Sequence, residues 1–420
     1  MRILFVIHQF YPEFAGGTER VTLNLAKMLQ RAGHYVHVLA CAVDPGNSAG
    51  KAESVEATSW PGSVYQGVPV TWVSRAELPA TADIGLDTEP QLVDRFAEWI
   101  HGQCFDAAHV MHTMRMASAV LALGRLAVPY VMTLTDFFLP CAQINLVNLQ
   151  ERLCPGPDQG RRCAQDCMTA PWTDESYAAR YAQANALLQA AGERVAPSEY
   201  VAASYRESFP GLSVRVIAHG IDLLALGGAE NAAPTQTGDN TLKLAYVGSI
   251  VPQKGLDLLL KAMALAPSNA VSLKVIGGFH GNTAFDGQIR AMVAADPRVE
   301  LAGPMDAAGV FATLGQMDLL CLPSRVPESY SLVLHEACAA GVPALVSDLG
   351  APADHVATRG GGRAVTTGEA ADWAQAISEI QGSPETLAQW KRELPLPQRV
   401  EEEAFFYESL YRRLPRPGPQ

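Results

Sequence analysis

Short, almost wholly apolar runs alternate with longer amphipathic stretches, and the alternation occurs twice along the chain. In the first half the runs are RILFVI (2–7), YVHVLA (35–40), VPVTWV (68–73), AAHVMH (107–112) and YVMTLT (130–135), with a helical stretch near 17–32. From residue 241 the pattern restarts as LKLAYVGSI, then VSLKVIGG (271–278), VELAG, LLCLPS (319–324) and PALVS (343–347), with helical stretches near 256–266, 285–295, 306–315 and 330–340. A strand that is apolar on both faces needs cover on both faces, which means a parallel sheet between two helical layers. The pattern predicts two α/β domains, each a Rossmann-like, doubly wound parallel sheet.

The expected division is a first domain over 1–222, a linker over 223–240 and a second domain over 241–392, with a C-terminal helix near 399–414 completing the first. The linker, LLALGGAENAAPTQTGDN, has neither helical nor strand period. Residues 137–175 are aperiodic and rich in Pro, Gly and Cys, which marks a long inserted loop. At 48% hydrophobic and 18% charged residues, the 420-residue chain has the material for two substantial cores.

Several functions are excluded or unsupported. A formal charge of −12 argues against nucleic acid as a partner, since that needs a basic face to displace counterions. The apolar run Ile3–Ile7 is too short for a signal-peptide core or a membrane span, and nothing later reaches about 18 apolar residues. The expectation is a cytoplasmic protein with no transmembrane segment and at most peripheral contact with the inner face of the membrane; Arg412, Arg413 and Arg416 are too few for a basic anchor. In that compartment the eight Cys are thiols or metal ligands rather than a disulfide framework.

The segment 327–343, PESYSLVLHEACAAGVP, carries two glutamates eight positions apart on an otherwise apolar stretch. LLCLPS ends at Pro323-Ser324, so Glu328 stands in the turn leading to a helix from about Tyr330 to Ala340, stopped by Gly341 and Pro343. Ligands of doubly wound sheets sit at the carboxyl ends of strands, where this turn lies. The first amides of the helix, around Ser329, Tyr330, Ser331 and Leu332, suit an anionic group such as a diphosphate. Glu336, further in among Leu and Ala, needs hydrogen-bond donors, which a ribose diol or a neighbouring cation supplies. The plainer alternative makes Glu336 a paired helix residue and Glu328 an exposed capping acid. Lys254, in the turn PQKG before another helix, reads as an anion-site cation or as a solvated surface residue.

Glu, seven residues, Glu on a strand–turn–helix resembles the donor-site motif of the retaining nucleotide-sugar glycosyltransferases of family four, which have the GT-B fold: two Rossmann-like domains facing a central cleft. The resemblance also covers FVIHQFYPEFAGGTERVTLNLAKML (5–29), ERVAPSEYVAASYRESF (193–209), VIAHGID (216–222), YVGSIVPQKGLDLLL (246–260) and MDLLCLPSRVPESYSLVLHEACAAGVPALVSD (317–348). It implies that Glu336 holds the donor ribose, Glu328 the transferred sugar and Lys254 the diphosphate. Gly16 and Gly17 match the glycine loop facing the donor phosphates, and Gly248 and Ser249 the turn where many members carry Gly-Arg. Ser249 in place of that Arg leaves Lys254 and the helix amides with more of the charge, or moves in a cation from elsewhere, Arg325 being one candidate.

The resemblance implies a His near the end of the AAHVMH strand beside the reacting sugar; His112 is preferred to His109 because it is nearer the strand's carboxyl end, and the plainer alternative is a satisfied structural histidine. Thr135-Asp136 stands where a subgroup reads His-Asp. The resemblance implies retaining, metal-independent transfer to a glycan, lipid-linked or small-molecule acceptor, and no Asp-x-Asp triplet is present. No cofactor beyond the nucleotide-sugar substrate is expected. Cys141, Cys154, Cys163 and Cys167 gather in the aperiodic loop and read as a structural zinc site, as free thiols or as disulfides. The rival functions are a nucleotide-sugar epimerase of the same architecture and a catalytically silent nucleotide-sugar-binding protein. A dinucleotide dehydrogenase lacks its G-x-G-x-x-G.

Overall fold

The structure is a computed structural model that describes residues 1–43, 60–169, 171–226, 241–266 and 270–415. Most of the expected linker, residues 227–240, and Arg416 lie outside the described residues. The chain forms two units, Met1–Gly220 with Val400–Gln420, and Ile221–Arg399.

The first unit is built on strands β1 (Arg2–Ile7), β2 (Tyr35–Ala42), β3 (Gly62–Tyr65), β4 (Val68–Ser74), β5 (Ala107–Val110), β6 (Tyr130–Thr133), β7 (Glu193–Ala196) and β8 (Arg215–Val216). Their spatial order is β3-β4-β2-β1-β5-β6-β7-β8. All neighbours pair in parallel except β3 with β4. In β5 and β6 every residue is buried, as strands covered on both faces require. The order reverses beside β1, which makes the carboxyl ends of β1 and β5 the switch point of this sheet.

The helix Val400–Arg413 joins this unit through buried polar contacts that are far apart in sequence. Tyr411 Oη lies 2.6 Å from His109 Nδ1, Tyr407 Oη lies 2.7 Å from Thr133 Oγ1, and Glu403 accepts the Gly220 N–H at 2.8 Å.

The second unit contains β9 (Leu242–Val247), β10 (Val271–Ile276), β11 (Val299–Gly303), β12 (Leu319–Leu322), β13 (Ala344–Ser347) and β14 (Gly362–Val365), in the order β11-β10-β9-β12-β13-β14, all parallel. This is the Rossmann order, with its switch point between β9 and β12. Leu256, Leu259, Leu260 and Met263, at helical spacing along Leu256–Leu265, pack onto one face of the sheet with Trp373 and Ile377. Leu334, Ala337 and Ala340 cover the other. The two elements that carry the candidate donor residues are thus fixed to opposite faces of one sheet.

Candidate functional site

At the switch point of the second sheet, Lys254 and Glu328 meet. Lys254 ends a single 3-10 turn, Pro252–Lys254, and Gly255 follows with φ +68 before the helix Leu256–Leu265. A Cβ at Gly255 would stand 2.0 Å from the Pro323 carbonyl oxygen, so only glycine lets this turn pass the end of β12. The passage places Lys254 Nζ 3.0 Å from Glu328 Oε1. Ser324 Oγ donates to the same oxygen. Burial by itself raises the Glu328 carboxyl, but the Lys254 charge and the Ser324 hydroxyl outweigh it and hold the group below its usual range.

Glu328 is held from behind as well. Ala351 N–H donates to its carbonyl at 2.9 Å. Gly350, at φ +73, lies so close that a Cβ there would come within 2.5 Å of Glu328 N and 2.7 Å of Glu328 O. Sequence reasoning missed Gly350; the Leu-Gly pair after β13 is an ordinary turn signal until the backbone contact is seen.

The helix after the turn spans Leu332–Ala339, with Ser331 ahead of it in the left-handed region at φ 70. A non-glycine residue there is strained backbone, the kind concentrated at ligand sites. Tyr330 stacks on His335 with ring centroids 4.1 Å apart and planes 6° from parallel. Glu336 is 4% exposed on this helix. Gly341, at φ +78, follows the helix end. Gly248 and Ser249 follow β9, and Tyr246 Oη donates to the Ser249 carbonyl at 2.9 Å.

Arg325, the candidate substitute cation, is already paired. Its guanidinium grips Asp257 with two bonds of 2.6 and 2.8 Å, and both its N–H at Nη1 and its main-chain N–H donate to the Lys254 turn, at Pro252 O and Gln253 O. It fastens that turn to β12, and its charge is matched by a carboxylate that is buried beside it.

In the first unit the carboxyl ends of β1 and β5 bring together His8, Glu19, His112 and Asp136. His112 Nε2 lies 2.7 Å from Asp136 Oδ2, and the Met114 N–H donates to His112 Nδ1 at 3.1 Å. Nδ1 therefore accepts and the ring proton sits on Nε2. Burial raises the Asp136 carboxyl, while His112 and the Phe138 N–H more than compensate and hold it low. Asp136 thus finds its imidazole just beyond β5, its own neighbour at position 135 being Thr.

His8 packs on His112 with centroids 4.0 Å apart. Among the described residues its Nδ1 and Glu19 Oε1 are buried without a hydrogen-bond partner, and its Nε2 lies 3.8 Å from that oxygen. Burial, with His112 and Arg115, pushes the His8 imidazole well below its usual value. Glu19 reaches back from the helix Gly17–Arg31 to accept the Gly16 N–H at 2.7 Å. Sequence reasoning missed both: His8 looked like the end of a strand, and Gly16-x-x-Glu19 is a capping-box spacing that could have exposed Glu19. Gly16 and Gly17 are exposed at the helix start. His109 is a structural histidine, fully buried between Tyr411 and Thr133, with burial pushing it down to about 3.

The zinc reading of the cysteine loop finds no ligand set, since no group of three or more His, Cys, Asp or Glu among the described residues is arranged to hold a metal ion. Cys141, Cys154, Cys163 and Cys167 are all free thiols. The loop is fixed by other means. Buried Arg180 donates to the carbonyls of Phe138, Leu139 and Ile84, and Cys163 packs with Ala142, Ala164, Tyr177 and Trp172. Burial pushes the Cys163 thiol up to about 12, so it stays protonated at neutral pH. No helix among the described residues is long and apolar enough to cross a membrane.

Two family models match the chain: "Glycosyl transferase 4-like domain" over residues 16–220 and "Glycosyl transferases group 1" over 241–382. Among curated relatives, the D-inositol 3-phosphate glycosyltransferase of Kribbella flavida is 27% identical over 385 residues, 89% of this chain and 84% of that one. The same-named protein of Jonesia denitrificans is 31% identical over 184 residues, 40% of this chain and only 43% of the relative's length. Anabaena HepE, solved in complex with UDP, superposes with a TM-score of 0.69 at 16% identity, covering 98% of this chain and 99% of that one. With both halves matched and the fold shared end to end, the chain belongs to the glycosyltransferases of GT-B fold.

Proposed function

We propose that the protein is a retaining, metal-independent glycosyltransferase that moves a sugar from a nucleotide-sugar to a hydroxyl of a glycan, lipid-linked or small-molecule acceptor. The observation that carries the reading is the fixed Lys254–Glu328 pair at the β9/β12 switch point, with buried Glu336 on the next helix. Lys254 and the first amides of Leu332–Ala339 supply positive potential for the leaving diphosphate, the largest charge that develops in the transfer. Glu336 takes the ribose hydroxyls and Glu328 those of the sugar. UDP is the first donor base to try, because HepE was solved with it.

His8 Nδ1 and Glu19 Oε1 offer an acceptor and a carboxylate oxygen to incoming hydroxyls at the β1/β5 switch point. His112, with both ring nitrogens already engaged, orients the stack on which His8 rests. The relatives' names make an inositol phosphate the first acceptor to test. Glycoconjugate assembly at the cytoplasmic side of a membrane is part of the same proposal.

The test is nucleoside diphosphate release from UDP-, GDP- and ADP-sugars with and without an acceptor panel, followed by NMR of the product. Acceptor-dependent release and a product with the donor's anomeric configuration support the reading. An inverted product overturns retention, and an isomerised sugar formed without acceptor overturns transfer altogether.

A further inference from the structure

The proposed function assigns Lys254 and Glu328 to opposite parts of the donor, the diphosphate and the sugar, and the inference here rests on that assignment. In the structure the two hold each other at 3.0 Å. The Glu328 side chain is 11% exposed and is anchored by Ser324, with its main chain pinned by Ala351 and Gly350. The Lys254 side chain is 37% exposed on a flexible four-carbon stem. The carboxylate is the fixed member of the pair and the ammonium the adaptable one.

We propose that this pair is a charge filter that favours the nucleotide-sugar over the spent nucleoside diphosphate. An anion that takes Lys254 displaces it from Glu328 and then lies beside a fixed like charge. The sugar of the intact donor answers that carboxylate with hydroxyl donors. The free diphosphate has no such donors. It also gains a second charge on its terminal phosphate, whose second pKa is near 6. When the sugar's C1–O bond to the β-phosphate breaks, the bonding pair stays on that phosphate oxygen while C1 bonds to the acceptor oxygen. The acceptor's proton passes to the phosphate and from it to water at neutral pH, and the charge that Glu328 repels then appears as the product must depart. The same carboxylate that holds the sugar thereby helps to clear the site.

The test is calorimetric titration of UDP, ADP and GDP, and of their sugars without acceptor, into wild type, Glu328→Gln and Lys254→Ala. Like-charge repulsion at contact range predicts that Glu328→Gln binds the nucleoside diphosphate roughly threefold to tenfold more tightly. The nucleotide-sugar should bind no more tightly than to wild type. The gain should shrink as salt is raised and grow as pH passes from about 5 to 7. Glu328→Ala provides the same contrast should the Gln variant fold poorly. Unchanged or weaker diphosphate binding by both variants overturns the filter while leaving the donor site intact. Diphosphate binding that ignores Lys254→Ala overturns the assignment beneath it, and the filter with it.

Discussion

His112 gives its Nε2 hydrogen to Asp136 at 2.7 Å and takes the Met114 N–H on Nδ1 at 3.1 Å, so one ring ties the end of β5 to the segment after β6. Asp136 also accepts the Phe138 N–H, through its other oxygen. An asparagine has one acceptor oxygen where the aspartate uses two, so Asp136→Asn strands one of these donors. The expected cost is about 1–3 kcal/mol of stability, measured as a lower denaturation midpoint. Transfer should fall with it as the His112–His8 stack loosens.

Gly350 makes a second, sharper case. Gly350→Ala must relieve a backbone clash with Glu328, while Gly368, at φ +84 with nothing within 4 Å of its Cβ position, reports the cost of the left-handed conformation alone. Gly368→Ala should lose about 1–2 kcal/mol and keep its transfer rate. Gly350→Ala should lose more stability and most of its transfer. Equal behaviour of the two variants in a kinetic assay and a melting experiment would show that Glu328 does not depend on Gly350.

These two sites mark what the sequence could and could not show. The alternation of buried strands and helices made two α/β sheets legible, and the spacing of Glu328 and Glu336 around an apolar helix pointed to the β12 turn. Contacts between distant backbones left no such pattern. Gly350 against Glu328 and Gly255 against Pro323 are steric facts that a sequence records only as glycines. Arg325 read as a spare cation because its partner, Asp257, lies 68 positions earlier. On sequence the cysteine cluster is open between metal, free thiols and disulfides; the structure has free thiols there, with the loop secured by Arg180 and a small apolar cluster.

Buried His109 predicts an acid-sensitive fold. Burial lowers its pKa from 6.5 in the unfolded chain to about 3 in the native state. Between those values the unfolded chain binds the extra proton, so this contribution is complete above pH 6.5 and is lost progressively as pH falls toward 3. His37, pushed by burial to about 4, acts in the same direction. The denaturation midpoint of wild type should therefore fall on acidification from pH 7 to 5, and the slope should be shallower in His109→Gln.

Arg325→Lys keeps the charge but not the two-pronged grip on Asp257. It should cost about 1–3 kcal/mol and weaken nucleotide binding by freeing the turn that carries Lys254. Preserved nucleotide affinity in a destabilised variant would confine Arg325 to a purely structural role.

The most direct measurement is calorimetric titration of UDP, with ADP and GDP alongside, into wild type, Lys254→Ala and Glu336→Ala. One nucleotide should bind wild type, and each substitution should weaken it by roughly tenfold to a hundredfold, the worth of a hydrogen bond to a charged group. Binding that neither substitution disturbs, or the absence of any nucleotide binding by folded wild type, would contradict a donor site at the β9/β12 switch point.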